Sequence, residues 1–159
     1  MSPRVVDRDF DGLHILTDHW PVIVLDFPGK LLPDAALRDG LAYVTGLLEE
    51  AGKSHERTYS IADLTHLALM APPSQRRIVA EWLSRTLLLQ KLVNLGIAVV
   101  APSAIFRGLV TAIYWLVQPP VPSLCVATRT AAFAEAVKAF DAARIPLQGD
   151  LRDALRRAG

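Results

Sequence analysis

Residues 58–77, TYSIADLTHLALMAPPSQRR, decide how the rest of the chain is read. TYSIAD is an apolar, partly β-branched run ending on an acid, the pattern of a buried strand. A short loop follows, and Pro72, Pro73 and Ser74 then open a helix. Proline suits the first helical turn, where its missing N–H costs nothing, and Ser74 is the expected N-cap. Strand, loop and helix in this order form the repeating unit of a sheet that is parallel in its centre.

Working outward, residues 1–12 read as a charged lead-in, 13–17 as a first strand and 22–27 as a second, close enough to pair as a hairpin. Asp34 is the expected cap of a helix whose apolar side is Leu37, Leu41, Val44, Leu47 and Leu48, with Gly52 closing it. Gly40 and Gly46 are expected to let that helix approach the sheet. On the other side, one long helix is predicted over 74–94, ended by Gly96 before a strand at 97–101. A helix at 104–117, a stiff Pro119–Pro122 connector and a strand at 124–128 come next. Thr130 is expected to cap a helix over 131–143, and a short helix closes the chain at 150–158. The order ββαβαβαβα predicts an α/β fold with a mostly parallel central sheet, helices packed against it and right-handed crossovers. One domain is expected, with its core at about 13–143 and a tail or short helix at 144–159.

Bulk properties narrow the functional classes. The 159 residues are 52% hydrophobic and 21% charged, as expected for strands covered on both sides. Seventeen basic residues against 16 acidic ones leave no field that would gather nucleic acid. The one cysteine, Cys125, sits in an apolar run and reads as a small core residue. The amino terminus has no signal-peptide pattern, and the most apolar stretch, 108–117, is about half of what spans a bilayer. A cytoplasmic protein is expected.

No chemistry is spelled out. His14, His19, His55 and His66 show no metal-ligand spacing, and no nucleophile elbow, Walker sequence or glycine-rich phosphate loop occurs. No cofactor or metal is expected. Asp26 and Asp63 lie at predicted strand ends, where open α/β sheets place ligands, and are the only carboxylates put forward for a small enzyme. The anomaly is the helix AIFRGLVTAIYWLV. Ile105, Phe106, Leu109, Val110, Ile113, Tyr114, Trp115, Leu116 and Val117 do not fit one stripe, so a second surface must cover part of it. A neighbouring helix, a second copy of the chain in a homodimer, or a lipid-like ligand would each serve.

IADLTHL, the PPSQRR helix start, GIAVVAPS followed at once by a helix, and SLCVATRTAAFAEAV together resemble the STAS fold. That fold is shared by bacterial anti-sigma-factor antagonists of the SpoIIAA kind and the cytoplasmic domains of sulfate transporters. The resemblance covers residues 13–140 and implies a non-enzymatic bacterial signalling or scaffold domain that works by protein–protein contact. The antagonists carry a phosphorylatable serine inside an Asp-Ser-Ser/Thr-Gly sequence. Here the corresponding segment is Met70-Ala71-Pro72-Pro73-Ser74, without that Asp or Gly, and Ser74 is the one candidate phosphoacceptor. The expected docking surface joins Ser74, Arg76 and Arg77 to the 104–117 helix. The alternatives are a carrier or sensor of a small apolar ligand or lipid, and an enzyme using Asp26 or Asp63.

Overall fold

The computed structural model describes residues 6–67 and 71–158, so Met70, Gly159 and the first five residues of the lead-in lie outside the described residues. The chain runs β1 (Arg8–Phe10), β2 (Leu13–Leu16), β3 (Val22–Asp26), α1 (Asp34–Lys53), β4 (Thr58–Asp63), α2 (Pro73–Arg85), α3 (Leu87–Val93), β5 (Asn94–Val100), α4 (Ala104–Leu116), β6 (Ser123–Val126), α5 (Arg129–Ala142) and α6 (Gly149–Arg157). The six strands form one sheet whose spatial order is their chain order. β1, β2 and β3 pair antiparallel, and β3 to β6 pair parallel. This is an α/β architecture with a mostly parallel sheet.

Alternation along the strands divides the core in two. Ile23 and Leu25 of β3 pack with α1, and Ile97 and Val99 of β5 pack with residues of α2 and α4. Val22, Val24, Tyr59, Ile61, Ala98 and Val100 point the other way, onto Phe133, Val137 and Phe140 of α5 and Leu155 of α6. Three successive crossovers that all advance in one direction and share one hand must place their helices on the same face. Helices α1 to α4 therefore crowd one side, and α5 and α6 close the other.

Several local expectations are corrected. The lead-in contains β1, joined to β2 through Asp11 and Gly12, whose φ values of 56° and 100° are those of a tight hairpin turn. The long helix is two helices. At Thr86 the hydroxyl donates to the Trp82 carbonyl at 2.8 Å and the backbone leaves helical geometry, a side-chain bond that competes with the helical ladder. Gly96 lies inside β5, where a Cβ would sit 2.7 Å from Cε2 of Tyr59 on β4; its role is close approach, not a helix end. Asp34, Ser74 and Thr130 do not cap their helices. Pro33 and Pro72 occupy the N-cap positions of α1 and α2 without side-chain bonds, and Thr128 Oγ1 accepts from the Ala131 N–H at the start of α5. Cys125 is exposed on the edge strand β6 and is not a core residue. Gly40 does face Leu13, whereas a Cβ at Gly46 would point into open space.

The two glycine environments make opposite predictions. Gly46→Ala should stabilise the protein by about 0.5–1 kcal/mol, since it removes only a helix-propensity cost. Gly96→Ala forces a methyl against the buried Tyr59 ring and should destabilise by about 1–3 kcal/mol. Urea unfolding of the two variants checks both signs.

Candidate functional site

The carboxylates put forward from the sequence meet on the α5 side of the sheet. Asp26 and Asp63 end β3 and β4, pair in register and project from the same face, an arrangement that repels across a ladder. Arg129, the first residue of α5, relieves it. Its Nε donates to Asp63 Oδ2 at 2.6 Å, and its Nη2 lies 3.2 Å from Asp26 Oδ1, an ion pair without good hydrogen-bond alignment. Asp63 Oδ1 also accepts from the Thr65 N–H at 2.9 Å and the Thr65 hydroxyl at 2.5 Å. With both oxygens engaged and its side chain almost fully buried, Asp63 is a junction residue that ties two strand ends to a helix start.

The electrostatics follow from that wiring. Burial pushes the Asp63 carboxyl up, but the two Thr65 bonds and Arg129 outweigh it and hold the group below its ordinary range. Burial would lower the Arg129 value, and the two carboxylates raise it instead. Arg129 is 66 residues from Asp63 in sequence, and no local motif advertises the pairing.

On the opposite face a cavity of about 140 Å³ lies between the sheet and helices α1, α2 and α4. Its wall is mainly aliphatic, including Leu25, Val44, Val79, Ile97, Val99 and Ile113. Neither Asp26 nor Asp63 lines it. Beside it runs a buried polar chain. Asn94 Nδ2 donates to Ser60 Oγ at 3.1 Å and to Gln90 Oε1 at 3.2 Å, while Gln90 Nε2 donates to Thr86 Oγ1 at 2.9 Å. Thr86, Gln90 and Asn94 recur every fourth residue across the end of α3. That is the signal from which this chain could have been anticipated.

The residues expected to form a docking surface separate in space. Leu109 is 4% exposed, and Phe106 and Ile113 pack on the core that contains Val99 and Val110, so these three face inward. Ile105, Trp115 and Leu116 are 66%, 83% and 63% exposed on the outer side of the same helix. Ser74 and Arg77 are exposed at the start of α2. Arg76 lines the cavity, and its Nε is buried without a hydrogen-bond partner. The histidines stay apart. His14 faces Asp9, His19 packs edge-on to Phe133, and no group of three metal-ligating side chains occurs among the described residues. No described helix is long and apolar enough to cross a membrane. No family model, curated protein or solved structure matches the chain.

Two measurements probe these placements. The lowered Asp63 value means that its contribution to stability is complete at neutral pH and is lost as pH falls through the folded-state value. Arg129→Met removes one of the influences that lower the Asp63 carboxyl and so raises it relative to the wild type, with the two Thr65 bonds still in place. The substitution should cost about 2–3 kcal/mol at pH 7 and less at an acid pH low enough to protonate Asp63, where the carboxyl no longer needs a cation. An equal cost at both pH values would show that Arg129 acts by packing alone. Ser74→Ala, which removes no cap bond, should change stability by less than about 0.5 kcal/mol.

Proposed function

We propose that this chain is a non-enzymatic interaction domain, a signalling or scaffold module that acts by binding protein through the outer side of α4. The observation that carries the reading is the exposure of Ile105, Trp115 and Leu116 on one short helix at the edge of the fold. Scattered apolar residues are ordinary on a protein surface; an indole and two aliphatic side chains at the two ends of one short helix give it an outer side suited to a partner. The resemblance to STAS domains, which work as protein-binding modules, supports the same class.

The simplest partner is a second copy. Ala104, Gly108 and Thr111 are small, exposed residues on α4, with Ile105 toward one end and Trp115 and Leu116 toward the other. Two such helices crossing antiparallel about a two-fold axis near residue 110 would set Ile105 of each against Trp115 of the other. The small residues would let the backbones approach between them. A surface complementary to itself in this way is the requirement for a symmetric dimer. The junction at residues 71–77, with Ser74 and Arg77 exposed, supplies a second, polar contact site for a further protein, and Ser74 is the accessible hydroxyl for a phosphate there. The cavity on the same side of the sheet favours a second reading, carriage of a small apolar ligand.

Sedimentation velocity over a protein concentration series tests self-association. The wild type should shift from monomer to dimer as concentration rises. Trp115→Ser should remain monomeric while its unfolding midpoint in urea stays within experimental error, because the side chain is outside the core. A wild type that stays monomeric up to its solubility limit would remove the dimer, and unfolding of Trp115→Ser would place the indole in the core.

A further inference from the structure

The cavity between the sheet and helices α1, α2 and α4 has the volume of a small-molecule site. At about 140 Å³ it is close to an engineered apolar cavity of about 150 Å³ that takes up benzene. The loop from β3 to α1 bounds it, and Leu31, which lines it, is exposed, so the cavity reaches the surface there. That opening lies toward the carboxyl ends of the parallel strands, where open α/β sheets receive ligands.

The polar side chains on its wall have mostly spent their donors within the protein. Lys30 Nζ donates to Asp11 Oδ1 at 3.1 Å, and Gln75 Nε2 donates to the Leu32 carbonyl at 2.5 Å and to Asp34 Oδ1 at 3.3 Å. Trp82 Nε1 donates to Thr45 Oγ1 at 2.8 Å, and Gln90 Nε2 donates to Thr86 Oγ1 at 2.9 Å. Arg76 differs. Its Nε is buried and unpartnered, and among the described residues no carboxylate lies within ion-pair distance of its guanidinium. Burying part of an always-charged fork without an acceptor is costly, and a natural structure keeps such a group where something else completes it. The position also lacks acidic compensation, since the first turn of α2 carries no Asp or Glu.

We propose that this cavity binds one small anionic amphiphile, a carboxylate bearing an apolar group of about six carbons. The carboxylate accepts from the Arg76 guanidinium at the opening, and the apolar group lies against β4, β5 and α4. A carboxylate matches the geometry of a single guanidinium and needs one positive charge. A phosphate would carry nearly two charges and call for a second cation, but Lys30, the other cation on the wall, already pairs with Asp11. A neutral apolar molecule would fill the volume and leave the Arg76 Nε unanswered. This site gives the ligand-carrying reading a chemical class and does not depend on self-association through α4.

Titration calorimetry with phenylacetate and hexanoate, against their neutral counterparts 2-phenylethanol and hexanol, tests the proposal on the full chain. Each acid should bind saturably with one molecule per chain, about tenfold or more tighter than its alcohol. Arg76→Met keeps much of the side-chain volume and should abolish that preference, bringing the acid down to the affinity of the alcohol. Ala62→Leu, which fills the cavity from β4, should weaken acid and alcohol alike, with a thermal melt showing that the variant is folded. Trp115→Ser should bind phenylacetate as the wild type does, separating this site from the α4 surface. Absence of saturable binding to the wild type, or an acid preference that survives in Arg76→Met, would overturn the proposal.

Discussion

The constraint on which the rest of the structure depends is that its strands lie side by side in the order in which they are made. Every parallel crossover from β3 to β6 advances one place in the same direction, so every connecting helix lands on one face. That face must accommodate four helices, and it does so with a cavity between them and with α4 at the margin. On the opposite face, α5 and α6 are the helices among the described residues, and α5 packs along β3, β4 and β5 to cover it. The asymmetry of the molecule follows from this order.

Each face then solves a different electrostatic problem. Where α5 begins, two carboxylates in register face a helix start, and the single charge of Arg129 is shared between them while Thr65 donates twice to Asp63 Oδ1. The result is a junction in which both carboxylates lie within ion-pair distance of the same guanidinium. Across the sheet, Arg76 sits at the wall of an apolar space, and among the described residues no carboxylate lies within ion-pair distance of it. Arg129 is held between two carboxylates on one face, whereas the Nε of Arg76 is buried without an acceptor on the other.

Much of the architecture was legible because burial leaves a pattern. The β-branched runs at 22–27, 58–63 and 97–101 announced the central strands, and the repeat from Leu37 to Leu48 announced α1. What failed was either local chemistry or position within the sheet. β1 is three mostly polar residues at an edge, yet Asp11-Gly12 is a strong hairpin signal that would have revealed it. The break at Thr86 depends on one hydroxyl bonding backward, which is hard to foresee inside a run of leucines. Prolines at 33 and 72 displaced the expected caps by a residue or two.

The candidate site was less legible. Cys125 reads as core because its neighbours are apolar, but β6 is the last strand of the sheet and Cys125 is exposed on it. The excess of apolar residues on α4 was readable, whereas its division into an inward set with Leu109 and an outward set with Trp115 required knowing that α2 is the helix packed beside it. Arg129 and the cavity are products of distant segments meeting, and no window of sequence contains them.

The most direct test of the central claim, that α4 presents a surface to another molecule of its own kind, is isotope-filtered NMR on a mixture of labelled and unlabelled protein. Ile105 and Trp115 lie ten residues apart on one helix, about 15 Å along its axis, too far for contact within a chain. The account predicts cross-peaks between the Ile105 methyl groups and the Trp115 indole that arise only between molecules. A concentrated sample with no such cross-peaks, and with α4 resonances unchanged on dilution, would contradict it.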